Sequence, residues 1–87
     1  MENYQARVLV RLKNGILDPG GKAIAHALDS LDFSEIDDVK TGKIIEFSIK
    51  SKNESEASAR IERACEQLLA NTVIEEYSFD ISRIEAD

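Results

Sequence analysis

Few side chains in this sequence are of the types that usually carry catalysis. The 87 residues contain one histidine, His26, one cysteine, Cys65, and no tryptophan. A histidine-dependent triad, a metal centre with several histidines and a CxxC redox pair each need residues that the chain does not have. The sequence therefore predicts no catalytic residue and no metal site on this chain.

The single histidine and the single cysteine have structural explanations. His26 lies two residues after Ile24 and two before Leu28, off the centre of an apolar helical stripe, so we expect it on a helix flank or at an interface. Cys65 lies on the apolar stripe of a second predicted helix, where a free thiol packs as a small hydrophobic group. The glutamates between residues 54 and 66 are typical of a solvated helix face.

The segment richest in possible contacts is residues 13–22, which contains Gly20 and Gly21 beside Pro19. Backbone N–H groups at a glycine-rich helix start can bind a phosphate. Here Pro19 has no N–H, and Asp18 would occupy the donors and repel an anion, which disfavours a phosphate site. Two other interpretations stay open: a plain loop with a helix cap, and a loop shaped to contact another protein.

Size and charge exclude several classes of function. The chain has 11 Lys and Arg against 17 Asp and Glu, a net charge of −6, which argues against nucleic acid and membrane surfaces as partners. No apolar run approaches the ~20 residues of a transmembrane helix, and residues 1–4 do not resemble a secretory signal. We expect a cytoplasmic protein. A domain of this size buries only about 60–65% of its unfolded surface, so a partner chain is expected.

Four strands are predicted, three of them from hydrophobic alternation with a period of two and one, the second, from Ile36 and Val39 as the ends of a short strand. In the first strand Tyr4, Ala6 and Val8 face one way, and polar residues alternate with them. A turn at residues 41–43 separates the second strand from the third. The predicted strands cover about residues 4–12, 36–41, 44–50 and 74–82.

Two amphipathic helices are predicted between these strands, over about residues 19–31 and 54–70. Asp18 is a preferred N-cap for the first, and Pro19 suits its first helical position. Asn53 followed by Glu56 has the spacing of a capping box at the start of the second.

The order β-α-β-β-α-β predicts one α+β domain over residues 1–87. It is the order of a ferredoxin-like (split βαβ) sandwich, in which a four-stranded antiparallel sheet carries both helices on one face. If the first and last strands are neighbours, the other face places Arg7 and Arg11 opposite Glu76 and Asp80. That face is either solvated or a docking face for another subunit, and the sequence leaves both open.

Three stretches, spaced along nearly the whole chain, carry a family resemblance. They are residues 12–23 followed by Ala27-Leu28, residues 39–43, and residues 65–77. Together they resemble the PurS family, the small subunit of multi-chain phosphoribosylformylglycinamidine synthase, over about residues 4–81. The chain departs from the family pattern at three positions: Gly20 stands where Gln is usual, Asp32 where Gly is common, and Thr72 where Pro is common.

The resemblance implies an assembly subunit without an active site of its own. In this family's complex a glutaminase subunit (PurQ) releases ammonia, and a synthetase subunit (PurL) uses ATP and Mg to activate formylglycinamide ribonucleotide for the ammonia to attack. The small subunit pairs with itself, as a dimer or tetramer, and holds the two larger chains together. The resemblance thus implies a ligase complex of purine biosynthesis with no cofactor on this chain.

By the same resemblance, one set of residues is expected to contact partner chains: Leu17, Asp18, Pro19, Gly21, Lys22, Gly42 and Lys43. The main alternative is a regulatory domain similar to an ACT domain, which shares the predicted order of elements and binds a small molecule. A hydrolase of the acylphosphatase type is disfavoured, because its phosphate loop needs an arginine where this chain has only Lys13.

Overall fold

Strands and helices alternate along the chain in the computed structural model, which describes residues 1–85. Within these residues the fold is α+β, with the order β1-α1-β2-α2-β3. The elements are β1 (Glu2–Leu12), α1 (Pro19–Ser30), β2 (Gly42–Ser51), α2 (Glu54–Ala64) and β3 (Glu75–Arg83). A π-helical turn, Cys65–Leu69, continues α2.

The three strands form one antiparallel sheet in the order β2-β1-β3. Val8 of β1 lies opposite Ile45 of β2 on one side and Phe79 of β3 on the other. The register therefore brings most apolar side chains of the three strands to one face, because side chains alternate with a period of two. Leu9 and Ile44 lie opposite each other on the other face and are exposed.

The opposite face of the sheet carries most of its charged residues, and β1 and β3 are neighbours, which is the condition for the charge pairing considered from the sequence. Arg7 lies opposite Asp80, and Arg11 lies opposite Glu76. Arg11 Nε is 3.0 Å from Glu76 Oε1, and Arg7 Nε is 3.1 Å from Glu46 Oε2 on the other neighbouring strand. These pairs are more than half exposed on the arginine side, so each adds about 0–1 kcal/mol of stability.

The core lies between β1 and α2. Ala6, Val8 and Val10 are fully or almost fully buried in the centre of the sheet, and Ile61 and Cys65 cover them. The two covering residues recur at a spacing of four, so they lie on one side of the helix. None of the helices in residues 1–85 combines the length and apolarity needed to cross a membrane.

The predicted four-stranded sheet is corrected to three strands for the described residues. Residues 36–41 form no strand. Asp38 has φ of 54°, in the left-handed region, and this interrupts an extended run. The backbone N–H of Thr41 donates to the Asp18 carboxylate at 2.7 Å, so this segment is bound to the start of α1 and not to a sheet edge.

The predicted position of the first helix is also corrected. α1 extends away from the sheet, and Gly21 is its one buried residue. Ile24 and Leu31 are 45% and 67% exposed. The radius of gyration is 17.0 Å, against about 12 Å expected for a globular chain of this length. Only α2 covers the apolar face of the sheet.

α1 ends at a residue that departs from the family pattern. After the cap residue Leu31, Asp32 has φ of 73°, the left-handed conformation that commonly ends a helix and that glycine adopts most readily. Aspartate tolerates this region better than most residues. The departure at Asp32 therefore keeps the backbone conformation for which a glycine is typical.

Candidate functional site

The start of α1, the loop before it and the segment before β2 meet at the end of the sheet. We call this region, residues 12–22 and 38–43, the junction. Asp18 lies at its centre, where its carboxylate accepts from Gly21 N at 2.9 Å, Thr41 N at 2.7 Å and Thr41 Oγ1 at 2.8 Å. One side chain therefore caps the helix and fixes the incoming end of β2.

The hydrogen bonds to Asp18 also favour the ionised form of its carboxyl. The Thr41 and Gly21 backbone N–H groups, followed by the Thr41 hydroxyl, hold the pKa of the Asp18 carboxyl below its usual range. Donors stabilise the ionised form of a carboxyl, so Asp18 is charged at neutral pH. Since Asp18 uses the Gly21 N–H at the helix start, that donor is not available to a phosphate.

Two glycines at the junction are required by close backbone approaches. A Cβ on Gly21 would lie 2.4 Å from the carbonyl oxygen of Val39, and one on Gly42 would lie 2.5 Å from that of Val10. Both distances are far inside van der Waals contact. Gly21 thus lets the segment before β2 cross the first turn of α1, which offsets the cost of a glycine in a helix.

Further hydrogen bonds tie the loop before α1 to two neighbouring segments. Lys13 Nζ donates to the Thr72 carbonyl at 2.6 Å, and its backbone N–H donates to the Ile74 carbonyl at 2.8 Å. Lys40 Nζ donates to Asn14 Oδ1 at 2.9 Å. The loop before α1 is therefore bonded to the segment before β3 and to the segment before β2.

A shallow groove of about 460 Å³ runs through the junction. Its lining includes the apolar side chains of Leu12, Ile16, Leu17, Ala25 and Val39. Within residues 1–85 no cluster of three or more His, Cys, Asp or Glu residues could hold a metal ion. The groove offers an apolar contact surface bordered by lysines. Of the two carboxylates in its lining, Asp18 and Asp38, Asp18 already has three hydrogen-bond donors.

The structure brings all seven predicted contact residues to the junction, but they differ in position. Leu17 is 64% exposed, and Lys22 and Lys43 are also exposed. Asp18 is bonded within the chain and Gly21 is buried. Pro19 and Gly42 lie at the first positions of α1 and β2. Four of the seven therefore have an exposed side chain, Leu17, Pro19, Lys22 and Lys43, whereas Asp18 and the two glycines shape the backbone.

The side chains outside the junction that could take part in a reaction have structural roles. His26 is exposed on α1, which agrees with a flank position. Cys65 is buried, and burial together with Glu66 and Glu62 raises the pKa of its thiol, which disfavours the reactive thiolate. The Tyr77 hydroxyl donates to Glu66 Oε1 at 2.7 Å, and this bond is the main cause that raises the pKa of Tyr77 to about 12.

Sequence reasoning missed a second apolar surface, on α1 and the segment after it. Ile24, Leu31, Phe33 and Ile36 are each at least 45% exposed. The helical spacing of Ile24 and Leu31 predicts an apolar stripe, and the predicted sandwich places that stripe against the sheet, whereas in the structure both residues are exposed. The charges at the ends of α1 also distinguish it from a typical helix, because its first turn has no acidic residue and its last turn has no basic residue.

The chain is similar to proteins of one family over nearly its whole length. A family model described as "PurS: Phosphoribosylformylglycinamidine (FGAM) synthase" matches residues 5–83. The phosphoribosylformylglycinamidine synthase subunit PurS of Bacillus subtilis is 41% identical over 83 residues, which cover 95% of this chain and 98% of that protein. These comparisons give no support to the ACT-like alternative.

Solved structures agree with this result. The crystal structure of Methanocaldococcus jannaschii PurS, described as one of the subunits of formylglycinamide ribonucleotide amidotransferase in the purine biosynthetic pathway, matches with a TM-score of 0.83 and 39% identity, covering 94% of this chain and 99% of that chain. A chain in the structure of PurLQS from Thermotoga maritima matches with a TM-score of 0.83 and 26% identity, covering 97% and 100%.

Proposed function

Because the chain belongs to the PurS family, we propose that it is the small, non-catalytic subunit of a phosphoribosylformylglycinamidine synthase in purine biosynthesis, a single domain that assembles with PurL and PurQ. One observation carries the proposal. The family match covers residues 5–83, and within the described residues the matched length contains a hydrogen-bonded, partly apolar junction and no cluster of His, Cys, Asp or Glu that could hold a metal ion.

The proposed role is to position two distant reactions relative to each other. The glutaminase subunit, PurQ, releases ammonia from glutamine. The synthetase subunit, PurL, uses ATP and Mg to activate the amide oxygen of formylglycinamide ribonucleotide, which ammonia then displaces. Ammonia lost to water between the two sites is wasted, so a subunit that fixes how the larger chains dock contributes to the rate without touching substrate. The chain needs no cofactor for this role, and its place of action is the cytoplasm.

We propose that the junction contacts partner chains, and that its residues divide this work. Leu17, Lys22 and Lys43 make direct contacts, because their side chains are exposed. Asp18 and Gly21 act through the backbone, since Asp18 bonds to Thr41 and Gly21 packs against Val39. Pro19 and Gly42 complete the set by fixing where α1 and β2 begin.

Reconstitution of the complex tests this function. Purified PurL and PurQ from the same cell are assayed with and without the chain, with glutamine or with ammonium as the nitrogen source. We expect synthesis from glutamine to be lost without the chain and synthesis from ammonium to be at least partly retained. Equal glutamine-driven rates with and without the chain, or failure of the chain to co-elute with either large subunit, would contradict the proposal.

A charge reversal tests the role of the junction in the same assay. Lys43→Glu is expected to weaken co-elution with the large subunits and to lower the glutamine-driven rate more than the ammonium-driven rate. Lys50→Glu is the matched control, because Lys50 is an exposed lysine at the other end of β2. Equal effects of the two substitutions would show that Lys43 does not contact a partner chain.

A further inference from the structure

One asparagine of the junction is followed by a glycine. The chain has four asparagines, and only Asn14 precedes a glycine, Gly15; those at positions 3, 53 and 71 precede residues with larger side chains. The backbone nitrogen of the next residue can attack the amide carbon of an asparagine and close a five-membered ring. A side chain on that next residue hinders the attack and restricts the backbone, so the Asn14-Gly15 pair is the most able to react.

The structure leaves the attacking nitrogen accessible. Asn14 and Gly15 are both exposed, in the turn between β1 and α1. Gly15 has φ of 87°, which glycine adopts readily, and beyond its chain neighbours no atom lies within 4 Å of the position that a Cβ would take. Among the hydrogen bonds within residues 1–85, none is donated by the Gly15 amide. The proton that must leave this nitrogen is therefore open to solvent.

The turn itself resists ring closure weakly. Its closing hydrogen bond, from Ile16 N to the Lys13 carbonyl, is 3.2 Å long, at the long end of the usual range. Ring closure requires rotation of the Asn14 side chain and backbone, which brings the Gly15 nitrogen to the amide carbon. An exposed turn with one long hydrogen bond opens at little cost in free energy.

The other asparagines are held in structures that oppose the same reaction. Asn3 lies in strand β1. Asn53 caps α2, where its Oδ1 accepts from Glu56 N at 2.8 Å. Asn71 Oδ1 accepts from Val73 N at 3.2 Å. These residues provide internal references within the same chain.

A cation lies on the amide of Asn14. Lys40 Nζ donates to Asn14 Oδ1 at 2.9 Å. Attack on the amide carbon moves negative charge onto this oxygen, and a cationic donor there stabilises the charge as it develops. Lys40 is 26 residues away in sequence, in the segment before β2, so only the folded junction provides this contact.

We propose that Asn14 is a site of spontaneous deamidation, and that Lys40 is a positioning residue for the reaction. A solvent base removes the Gly15 amide proton, and the nitrogen forms a bond to Asn14 Cγ. The Cγ–Nδ2 bond breaks, and Nδ2 takes up a proton and leaves as ammonia. Water then opens the succinimide at either carbonyl, which gives aspartate or isoaspartate at position 14. Water is the one co-reactant.

The product changes the charge and the length of the loop that enters α1. Asn14 and Gly15 line the junction groove, and the reaction adds one negative charge to a chain whose net charge is −6. Aspartate at this position forms an ion pair with Lys40 in place of the neutral hydrogen bond. Isoaspartate also adds a methylene to the main chain four residues before Asp18. An effect of this change on docking rests on the proposed function, whereas the reaction itself does not.

Peptide mapping of the purified, folded chain tests the reaction. The chain is kept at neutral pH and physiological temperature in heavy-oxygen water, and samples are digested with trypsin, which releases residues 14–22 as one peptide. We expect this peptide to give two products, each with the mass gained when an amide becomes an acid and with one solvent oxygen. Its rate of conversion should be at least about tenfold above the rates at Asn53 and Asn71. Methyl transfer by an isoaspartyl methyltransferase should label one of the two products.

Two substitutions test the two parts of the mechanism. Gly15→Ala is expected to slow deamidation at least about tenfold, because a Cβ hinders the attack. It is compared with the original chain both folded and in urea, so that the comparison holds if the variant does not fold. Lys40→Met is expected to slow the reaction about threefold or more in the folded chain. That difference should vanish in urea that unfolds the chain, since Lys40 and Asn14 then separate. Lys50→Met, at the other end of β2, is the matched control and should have no effect.

Three outcomes would overturn the inference. Conversion at Asn14 that is no faster than at Asn53 or Asn71 would remove the site, and a rate unchanged by Gly15→Ala would exclude the succinimide. A folded Lys40→Met variant that reacts as fast as the original chain, or faster, would remove the role of Lys40. The proposed function is judged separately, because reconstitution with PurL and PurQ uses freshly prepared chain and measures synthesis instead of the composition of a peptide.

Discussion

The two helices of this chain have similar apolar patterns but lie in different environments. In α2, Ile61 is 1% exposed beneath the sheet, whereas in α1 Ile24 is 45% exposed. The connections to the strands explain this difference. Two residues, Lys52 and Asn53, join β2 to α2 and return the helix onto the sheet. Six residues separate β1 from α1, and the bonds between Asp18 and Thr41 hold that helix at the end of the sheet.

The same comparison distinguishes two kinds of stability. The body, which is the sheet with α2, is held by side chains that are distant in sequence and fully buried. The arm, which is residues 17–41 (α1 and the chain that leads from it to β2), is held to the body by the hydrogen bonds and close contacts of the junction. Segments with few buried contacts open at lower free energy than the core. The body should therefore determine global unfolding, and the junction should determine how firmly the arm is fixed.

The largest effect should come from the core of the body. Ile61→Ala removes a fully buried side chain and is expected to lower the free energy of unfolding by about 2–5 kcal/mol. Denaturant titration measures this change. Leu68→Ala is the control, because Leu68 is 82% exposed in the turn that follows α2, and its effect should be within about 0.5 kcal/mol. Equal losses of unfolding free energy in the two variants would show that the packing of Ile61 against the sheet does not stabilise the core.

A smaller and more local effect is expected from Gly21→Ala. The new Cβ would lie 2.4 Å from the Val39 carbonyl oxygen, and overpacking of this kind costs about 1–3 kcal/mol. Relative to the original chain, hydrogen exchange in this variant should accelerate more at the amides of α1 than at those of β1.

The neighbouring glycine provides the control for that experiment. A Cβ on Gly20 would have the Thr41 hydroxyl as its nearest neighbour, at 3.1 Å, and alanine is a better helix former than glycine. Gly20→Ala is therefore expected to have the weaker effect. If exchange instead accelerates equally in α1 and β1 of the Gly21 variant, the arm and the body unfold as one unit and the distinction between them is lost.

The smallest effect should depend on pH and come from Asp18. Its pKa is lowered in the folded protein by the donors of Thr41 and Gly21. A carboxyl of this kind adds stability above its unfolded pKa of about 3.9, and the contribution is lost as the pH falls through the lower, folded value. Asp18→Asn should therefore be less stable than the original chain at pH 7, and the difference should shrink below about pH 4.

Urea titrations between pH 7 and pH 3 measure this dependence. Asp80→Asn serves as the control, since Asp80 is exposed on the outer face of the sheet and caps no helix. A difference between Asp18→Asn and the original chain that is the same at pH 3 as at pH 7 would mean that the Asp18 charge does not fix the junction.

Local patterns in the sequence predicted the parts of this structure that depend on nearby residues. Alternation placed three strands, and the Asp18-Pro19 pair placed the start of α1, because strand faces and helix caps are set within a few residues. The contact residues of the junction came from the family resemblance. Sequence spacing alone did not show that residues 13–18 and 38–43 meet. They are brought together by the Asp18 side chain, which bonds to Thr41 23 residues away, and by the close approach of the Val39 carbonyl to Gly21.

The sequence by itself determined which residues are apolar, which face of each element they occupy, and that the chain has few groups for chemistry. Only the tertiary structure decided what those faces meet. Ile36 and Val39 were compatible with the ends of a short strand, but residues 36–41 form none and bind the start of α1, and the apolar residues Ile24 and Leu31 of α1 are exposed. The physical reason is that periodicity fixes the direction of a side chain relative to its own backbone, whereas connection length and a few long-range hydrogen bonds fix where that backbone lies.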